Sequence, residues 1–431
     1  LVVEEGGISL AILSTGPIDN SALSGVRPSR EVTVKIVNPD ASNFATVSIE
    51  GYLLNGLRLL YVLETFSVLP NQVVTKNYFV SSNAFEFFFT TGGVAGNQTE
   101  ISVWGKNAAG ELVAAHRLVT SELLGAGTEA VSTNRIYVAN FNSNDVSIID
   151  GATHTVIATI PVGVNPAGLD VNPLTNRIYV ACRGNDIVSV IDGVTNTVLA
   201  SIPVGDESGD AGVNTATNAV YTANFNSSDT TEDVTVISGL TNTVIATITI
   251  PGLNFLTALG VNSATNLIYA ANFNSDAVSV IDGVTNTVIA TIPVQVNPFQ
   301  VGVNPDTNRI YVSNFTSNTV SVIDGATNTV IATIPVGLAP AGVGVNTATN
   351  AIYVPNRDTD NVSVIEGLTN TVIATIPVGN NPNGAGANPL TNRIYVTNQD
   401  DNTVSVIDGN TNTVTATVPV GARPFAVAVN P

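Results

Sequence analysis

A chain of 431 residues with a formal charge of −19 and only 14 Lys+Arg repels phosphate at long range, which argues against nucleic acid and anionic lipid as partners. Its 44% hydrophobic residues and positive mean hydropathy supply a sizeable core and exclude disorder throughout. One cysteine excludes intramolecular disulfides and cysteine-cluster metal sites, two histidines leave few acid–base options, and no apolar run of about 18 residues marks a membrane span. The chain opens at Leu1 rather than methionine, so a removed leader is expected.

In chain order, residues 1–28 read as a strand and a linker. The strand-like piece is Ile8-Ser9-Leu10-Ala11-Ile12-Leu13, followed by the polar stretch Ser14 to Ser29. It has two destinations. The edge of its own sheet costs less loop-closure entropy, whereas a neighbour's sheet would chain subunits into a filament or lattice by strand addition. Residues 29–125 carry alternating stretches at Glu31–Val37, Ala45–Leu53, Leu57–Val68, Gln72–Val80, Phe85–Thr90, Glu100–Gly105 and Leu112–Val119. That count and length predict an antiparallel β-sandwich of immunoglobulin or jelly-roll type. The closing stretch, Ser102-Val103-Trp104-Gly105-Lys106-Asn107-Ala108-Ala109-Gly110-Glu111-Leu112-Val113-Ala114-Ala115-His116-Arg117-Leu118, resembles domains that precede repeats in surface or exosporium-type proteins of spore-forming Firmicutes.

Residues 126–431 repeat, after a short Gly-containing linker from Glu122 to Ser132. Tyr137, Tyr179, Tyr221, Tyr269, Tyr311, Tyr353 and Tyr395 each follow Ile or Val, at spacings of 42, 42, 48, 42, 42 and 42 residues. Within one unit, Gly342 to Gly379, four segments rich in Val, Ile, Thr and Tyr are separated by Asn, Asp, Gly and Pro. The period-2 alternation reads as strand, and Asn and Gly supply the positive φ that tight antiparallel turns need. Four strands, seven times over, predict a seven-bladed β-propeller, so the chain as a whole is expected to be all-β. The first unit lacks an innermost strand, and Ala426-Val427-Ala428-Val429-Asn430-Pro431 matches the missing piece. Pairing the last strand into the first blade closes the ring and removes the free edges.

The signature Arg135-Ile136-Tyr137-Val138-Ala139-Asn140, repeated as Arg393-Ile394-Tyr395-Val396-Thr397-Asn398, resembles the YVTN-family β-propellers, most closely those of prokaryotic surface-layer proteins. The resemblance implies a propeller displayed on a cell, spore or appendage surface.

Rare residues stand out against the repeat. Cys182 replaces the Asn of the other blades, such as Asn140, and His154 replaces a turn Asn, such as Asn196, so both read as structural substitutions; His116 lies in the other domain. Asp170 stands where five blades have Gly and one has Ala, on an innermost strand where a carboxylate would meet the central channel. The one irregular spacing places extra residues at Asn226 to Asp233 and Pro251 to Thr257, on the face that also carries Asp206-Glu207-Ser208-Gly209-Asp210. Asp206, Glu207, Asp210, Asp229, Glu232 and Asp233 are thereby candidates for a Ca²⁺ site, since that ion takes six to eight oxygen ligands. The alternative is two acidic surface loops held apart by repulsion. Phe141, Phe225, Phe273 and Phe315 sit in Asn/Ser-rich loops on the same face, suited to glycan or protein contact, and Asn97, Asn226, Asn314 and Asn361 begin N-x-S/T sequons.

No Gly-x-Ser-x-Gly, His-Glu-x-x-His or phosphate loop is present. The expectation is therefore a secreted, non-enzymatic surface structural protein, self-associating or anchored through its N-terminal domain, with the ring displayed. The alternative is a carbohydrate- or protein-binding module using the loop face.

Overall fold

The computed structural model describes residues 11–14, 18–19, 31–38, 42, 45–54, 58–79, 84–92, 100–106, 112–119, 134–225, 232–251 and 255–431. The chain divides into two compact units, Leu1–Val131 and Ser132–Pro431.

In the first unit the seven alternating stretches are strands, at Glu31–Val37, Ala45–Leu54, Arg58–Val68, Val73–Phe79, Ala84–Gly92, Glu100–Lys106 and Leu112–Val119. Two antiparallel sheets result. One runs Ala11–Ser14, Ala84–Gly92, Ala45–Leu54, Arg58–Val68, and the other Val73–Phe79, Glu31–Val37, Glu100–Lys106, Leu112–Val119. Period two sets burial: Val32, Val34 and Ile36 are buried while Lys35 is exposed, and the buried Thr33 hydroxyl donates to Asn77 Oδ1 at 2.7 Å. A single apolar cluster takes Val34 and Ile101 from one sheet with Ile49, Phe87 and Phe89 from the other. Of the expected first strand, Ala11–Leu13 lies at the edge beside Ala84–Gly92, and Ile8–Leu10 lie outside the described residues.

The second unit is a seven-bladed β-propeller. Blade 2 shows the pattern: Pro166–Asn172 innermost, then Arg177–Cys182, Ile187–Asp192 and Thr197–Pro203, all antiparallel. Its Ile-Tyr-Val strand has no exposed residue, since blades cover it on both faces, whereas the outermost strand alternates towards solvent. The turn before each outermost strand puts one residue in the left-handed region: Asn in six blades, at φ 53 to 56°, and His154 at φ 55° in blade 1.

The ring closes as the repeat requires. Arg135 pairs with Asn430, Tyr137 with Ala428 and Asn140 with Pro424, so the C-terminal strand is the innermost strand of blade 1. Two devices join each blade to the next. The repeat tyrosines are at most 1% exposed and pack across the interface, Tyr137 of blade 1 clustering with Leu169 and Ile178 of blade 2. The last Asn of each innermost strand donates Nδ2 to a turn Asn of the following blade: Asn172 to Asn218 at 2.8 Å, and so on to Asn388–Asn134 at 2.8 Å and Asn430–Asn176 at 2.7 Å, the two that span the closure. Buried amides survive because they satisfy each other.

Within blades a third contact explains Cys182. Asn140 Nδ2 donates to Ser147 Oγ at 2.9 Å, and Asn272 donates to Ser279 Oγ at 2.9 Å. At the same place in blade 2 the Cys182 sulfur lies 3.7 Å from Ser189 Oγ, a weak contact, and burial pushes the thiol pKa up, away from reactivity. Cys182→Asn is expected to stabilise the protein by about 1 kcal/mol by restoring the amide–hydroxyl bond. A thermal melt checks this, and a lowered melting temperature would refute it.

Candidate functional site

Each innermost strand enters the ring through a bulge. In blades 1 to 5 and 7 the register with the second strand slips at the start of the innermost strand, as between Pro166 and Gly168 in blade 2. A bulge frees one residue from the ladder and re-aims its side chain. The freed residues Ala167, Gly209, Thr257, Phe299, Asn383 and Phe425 all line one axial cavity of about 140 Å³.

A second layer sits above them. In every blade the residue before the innermost strand is left-handed: Asn165, Glu207, Phe255, Asn297, Ala339, Asn381 and Arg423, at φ 49 to 58°. In six blades its carbonyl accepts the N–H of the residue after the second strand, as in Arg183 to Asn165, Phe273 to Phe255 and Phe315 to Asn297. In six of the seven, Phe255 apart, its own N–H is held by an Asn or Asp of the preceding loop, for example Arg423 N to Asn402 Oδ1 at 2.8 Å. The seven equivalent rim positions, all but Phe225 held by such a bond, read Phe141, Arg183, Phe225, Phe273, Phe315, Arg357 and Gln399 around the ring.

The rim is two-sided. Over blades 3 to 5, Phe225, Phe255, Phe273, Phe299 and Phe315 form a continuous half-buried arc whose successive centroids are 4.2, 5.6, 6.4 and 5.5 Å apart, mostly edge to face. Phe141 and Phe425 pair at 5.8 Å on blade 1. Arginines cap these rings: Arg183 over Phe225 at 5.9 Å, Arg357 over Phe315 at 5.7 Å and Arg423 over Phe141 at 5.2 Å. Phe255 is a bulky residue at φ 49°, a conformation costing about 1–3 kcal/mol, and its neighbours hold it there. The four loop phenylalanines expected on this face are all in place, whereas Phe255, Phe299 and Phe425 were missed. The signal for them was their alignment with the residues beside the repeated Pro of the innermost strands.

The acidic candidates do not assemble into a metal site among the described residues, where no group of three His, Cys, Asp or Glu is placed to hold an ion. Each goes elsewhere for a physical reason. Glu207 is taken by the Arg183 guanidinium, at 2.6 and 3.0 Å. Asp233 accepts from Asn224 Nδ2 at 2.6 Å, Asp206 is exposed, Glu232 is buried in its strand, and Asp229 lies outside the described residues. Asp210 turns into the axial cavity, where Oδ2 accepts the Leu259 N–H of blade 4 at 2.9 Å. Burial, and then the Asp170 charge, push its carboxyl up to about 7 against the pull of the Leu259 and Ala211 N–H groups.

Asp170 behaves alike. Its oxygens accept Val171 N–H at 2.7 Å and Val213 N–H of blade 3 at 2.8 Å, and burial pushes its carboxyl up to about 6. It is a clasp between innermost strands. His154 packs 6.4 Å from Tyr395, and burial followed by the Arg393 charge lowers its pKa. Of the sequons, Asn314 is fully buried, and Asn97 and Asn226 lie outside the described residues.

No protein-family model matches the chain, and no curated protein sequence matches it. Solved structures do. Kuenenia stuttgartiensis hydrazine synthase is similar at 19% identity, over 64% of this chain and 93% of that one, with a TM-score of 0.58. A functionally unknown protein from Desulfotomaculum acetoxidans is similar at 15% identity, over 69% and 98%, with a TM-score of 0.61. Dihydro-heme d1 dehydrogenase NirN is similar at 15% identity, over 68% and 64%, with a TM-score of 0.52. These likenesses carry the fold: an all-β, seven-bladed propeller. They also correct the expectation of a non-enzymatic protein, because a synthase and a dehydrogenase share the ring and missing hydrolase motifs do not exclude catalysis. Among the described residues, no helix is long and apolar enough to cross a membrane.

Proposed function

We propose that the chain is an extracellular surface protein of the YVTN type whose axial mouth binds a ligand, with the first unit folded as a β-sandwich that serves attachment or self-assembly. The observation that carries this reading is the mouth itself: five half-buried phenylalanines, Phe141, Phe225, Phe255, Phe299 and Phe425, line one cavity, and Phe273 and Phe315 continue the arc beside it. Exposed aromatic surface held in a strained backbone costs stability, which favours a role in recognition. The low charge and Asn/Thr-rich skin suit a crowded surface layer.

Phe255→Asn tests the mouth, because Asn165, Asn297 and Asn381 occupy the equivalent left-handed position in other blades. The variant is expected to keep the wild-type melting temperature to within about 1 kcal/mol of stability, as strain relief offsets lost ring contacts. Binding to glycan and peptide arrays is expected to fall about tenfold or more. Unchanged array binding would remove the mouth from the account.

A further inference from the structure

We propose that the ligand of the mouth is a phenyl-sized apolar group carrying an anionic head, the apolar part against the arc of blades 3 to 5 and the anion towards Arg357 and Arg423. The inference rests on the mouth being a binding site and adds the chemistry of what it takes.

Charge distribution leads to it. The propeller contains seven arginines, no lysine and a threefold excess of acids. Arg177, Arg183, Arg309 and Arg393 pair with Asp192, Glu207, Asp324 and Asp408, and Arg135 donates to Gly193 O and Asn196 Oδ1. Arg357 and Arg423 are different. Among the described residues neither has a carboxylate within the 4.0 Å of an ion pair, in a unit where carboxylates are plentiful. Arg357 spends Nε on Asn381 Oδ1 at 2.8 Å and reaches Gln399 Oε1 at 3.5 Å, so its remaining N–H groups are uncommitted. Burial and then the Arg423 charge lower its pKa, against the opposite pull of Asp358 and Asp400. Arg357 lies over the Phe315 ring and Arg423 over the Phe141 ring, so both guanidinium groups sit on the aromatic rim without a carboxylate, a place for an anion.

Two buried amides support the same side. Gln399 occupies a rim position, is 2% exposed, and its Nε2 has no acceptor among the described residues. Asn383 lines the cavity at 3% exposure with Nδ2 fixed on Phe425 O, and its Oδ1 has no donor among the described residues. Asn383 thus presents an unmet carbonyl oxygen at the cavity wall, and Gln399 an unmet amide on the rim beside Arg357, which it meets at 3.5 Å. The cavity itself, about 140 Å³ and lined by five phenylalanines with Arg183, Glu207 and Asp210 among the other lining residues, is of benzene size.

The test titrates the full chain with phenylacetate and with phenylacetamide, which differ in charge and little in shape, by calorimetry or ligand-observed NMR. Phenylacetate is expected to bind about tenfold more tightly at low salt, the advantage shrinking at about 0.5 M salt. Arg357→Gln and Arg423→Gln are each expected to weaken the acid and leave the amide unchanged, and Phe255→Asn to weaken both. Equal affinity for acid and amide, or a ratio that neither arginine variant moves, overturns the anion while the mouth stands. Failure of both probes to bind at millimolar concentration, or binding indifferent to Phe255→Asn, overturns the mouth with it.

Discussion

Deleting Pro424–Pro431 is expected to lower the melting temperature by more than about 10 °C or to abolish a cooperative transition altogether. The deletion removes the innermost strand of blade 1 and with it every bond that strand gives Arg135–Asn140. Val427 and Val429 leave the cluster that packs Ile136 and Val138 against Tyr395, and the Asn430–Asn176 clasp is lost. Each large core truncation alone costs about 2–5 kcal/mol, and these losses fall on one interface. The strand Arg135–Asn140 then becomes a bare hydrophobic edge, so aggregation is expected as well. Because Phe425, Ala426 and Val427 also wall the axial cavity, ligand binding should vanish even where folding is rescued by cold or osmolyte. Differential scanning calorimetry of the truncated and full chains measures the effect, and near-identical transitions would refute it.

The second large effect is in pH. Asp210 has a folded-state carboxyl raised from the ordinary 3.8 to about 7, so the folded protein holds a proton that the unfolded chain releases. Its contribution is therefore fully present below about 4 and is lost as pH rises through about 7. For a group 7% exposed, the change is about 4 kcal/mol. Asp150, Asp324 and Asp408 work in the opposite sense, since backbone N–H groups and arginines lower their pKa and their contribution disappears in acid. The comparison that isolates Asp210 is thus between proteins rather than between pH values. Asp210→Asn is expected to be more stable than wild type at pH 8 and equal or slightly less stable at pH 5, where the carboxyl is already neutral. Parallel denaturation curves at the two pH values, with no change of sign or size in the difference, would contradict this.

Much of the ring was legible because each blade restates the same physics. The period-2 runs, the turn Asn residues and the tyrosine spacing could arise only from four-stranded units, and the unmatched Ala426–Asn430 located its own partner. Legibility failed where meaning depends on which side chain reaches which. The Asn–Asn clasps join neighbouring blades through tertiary contact, and nothing in Asn172 alone names Asn218. The acidic residues were expected to converge, yet Arg183 takes Glu207 and Asn224 takes Asp233. Phe255, Phe299 and Phe425 sat in plain view but belong to the mouth only through a left-handed residue and two bulges, features of backbone geometry rather than composition.

The closed ring carries the rim, the cavity and the grouping of Arg357 with Arg423, so the decisive measurement is amide hydrogen exchange at the closure of the native full chain. Arg135–Asn140 and Pro424–Asn430 should exchange as slowly as the equivalent strands Arg309–Asn314 and Pro298–Asn304 in the middle of the ring. Fast exchange confined to the C-terminal strand and its partner would show an open ring and contradict the account at its base.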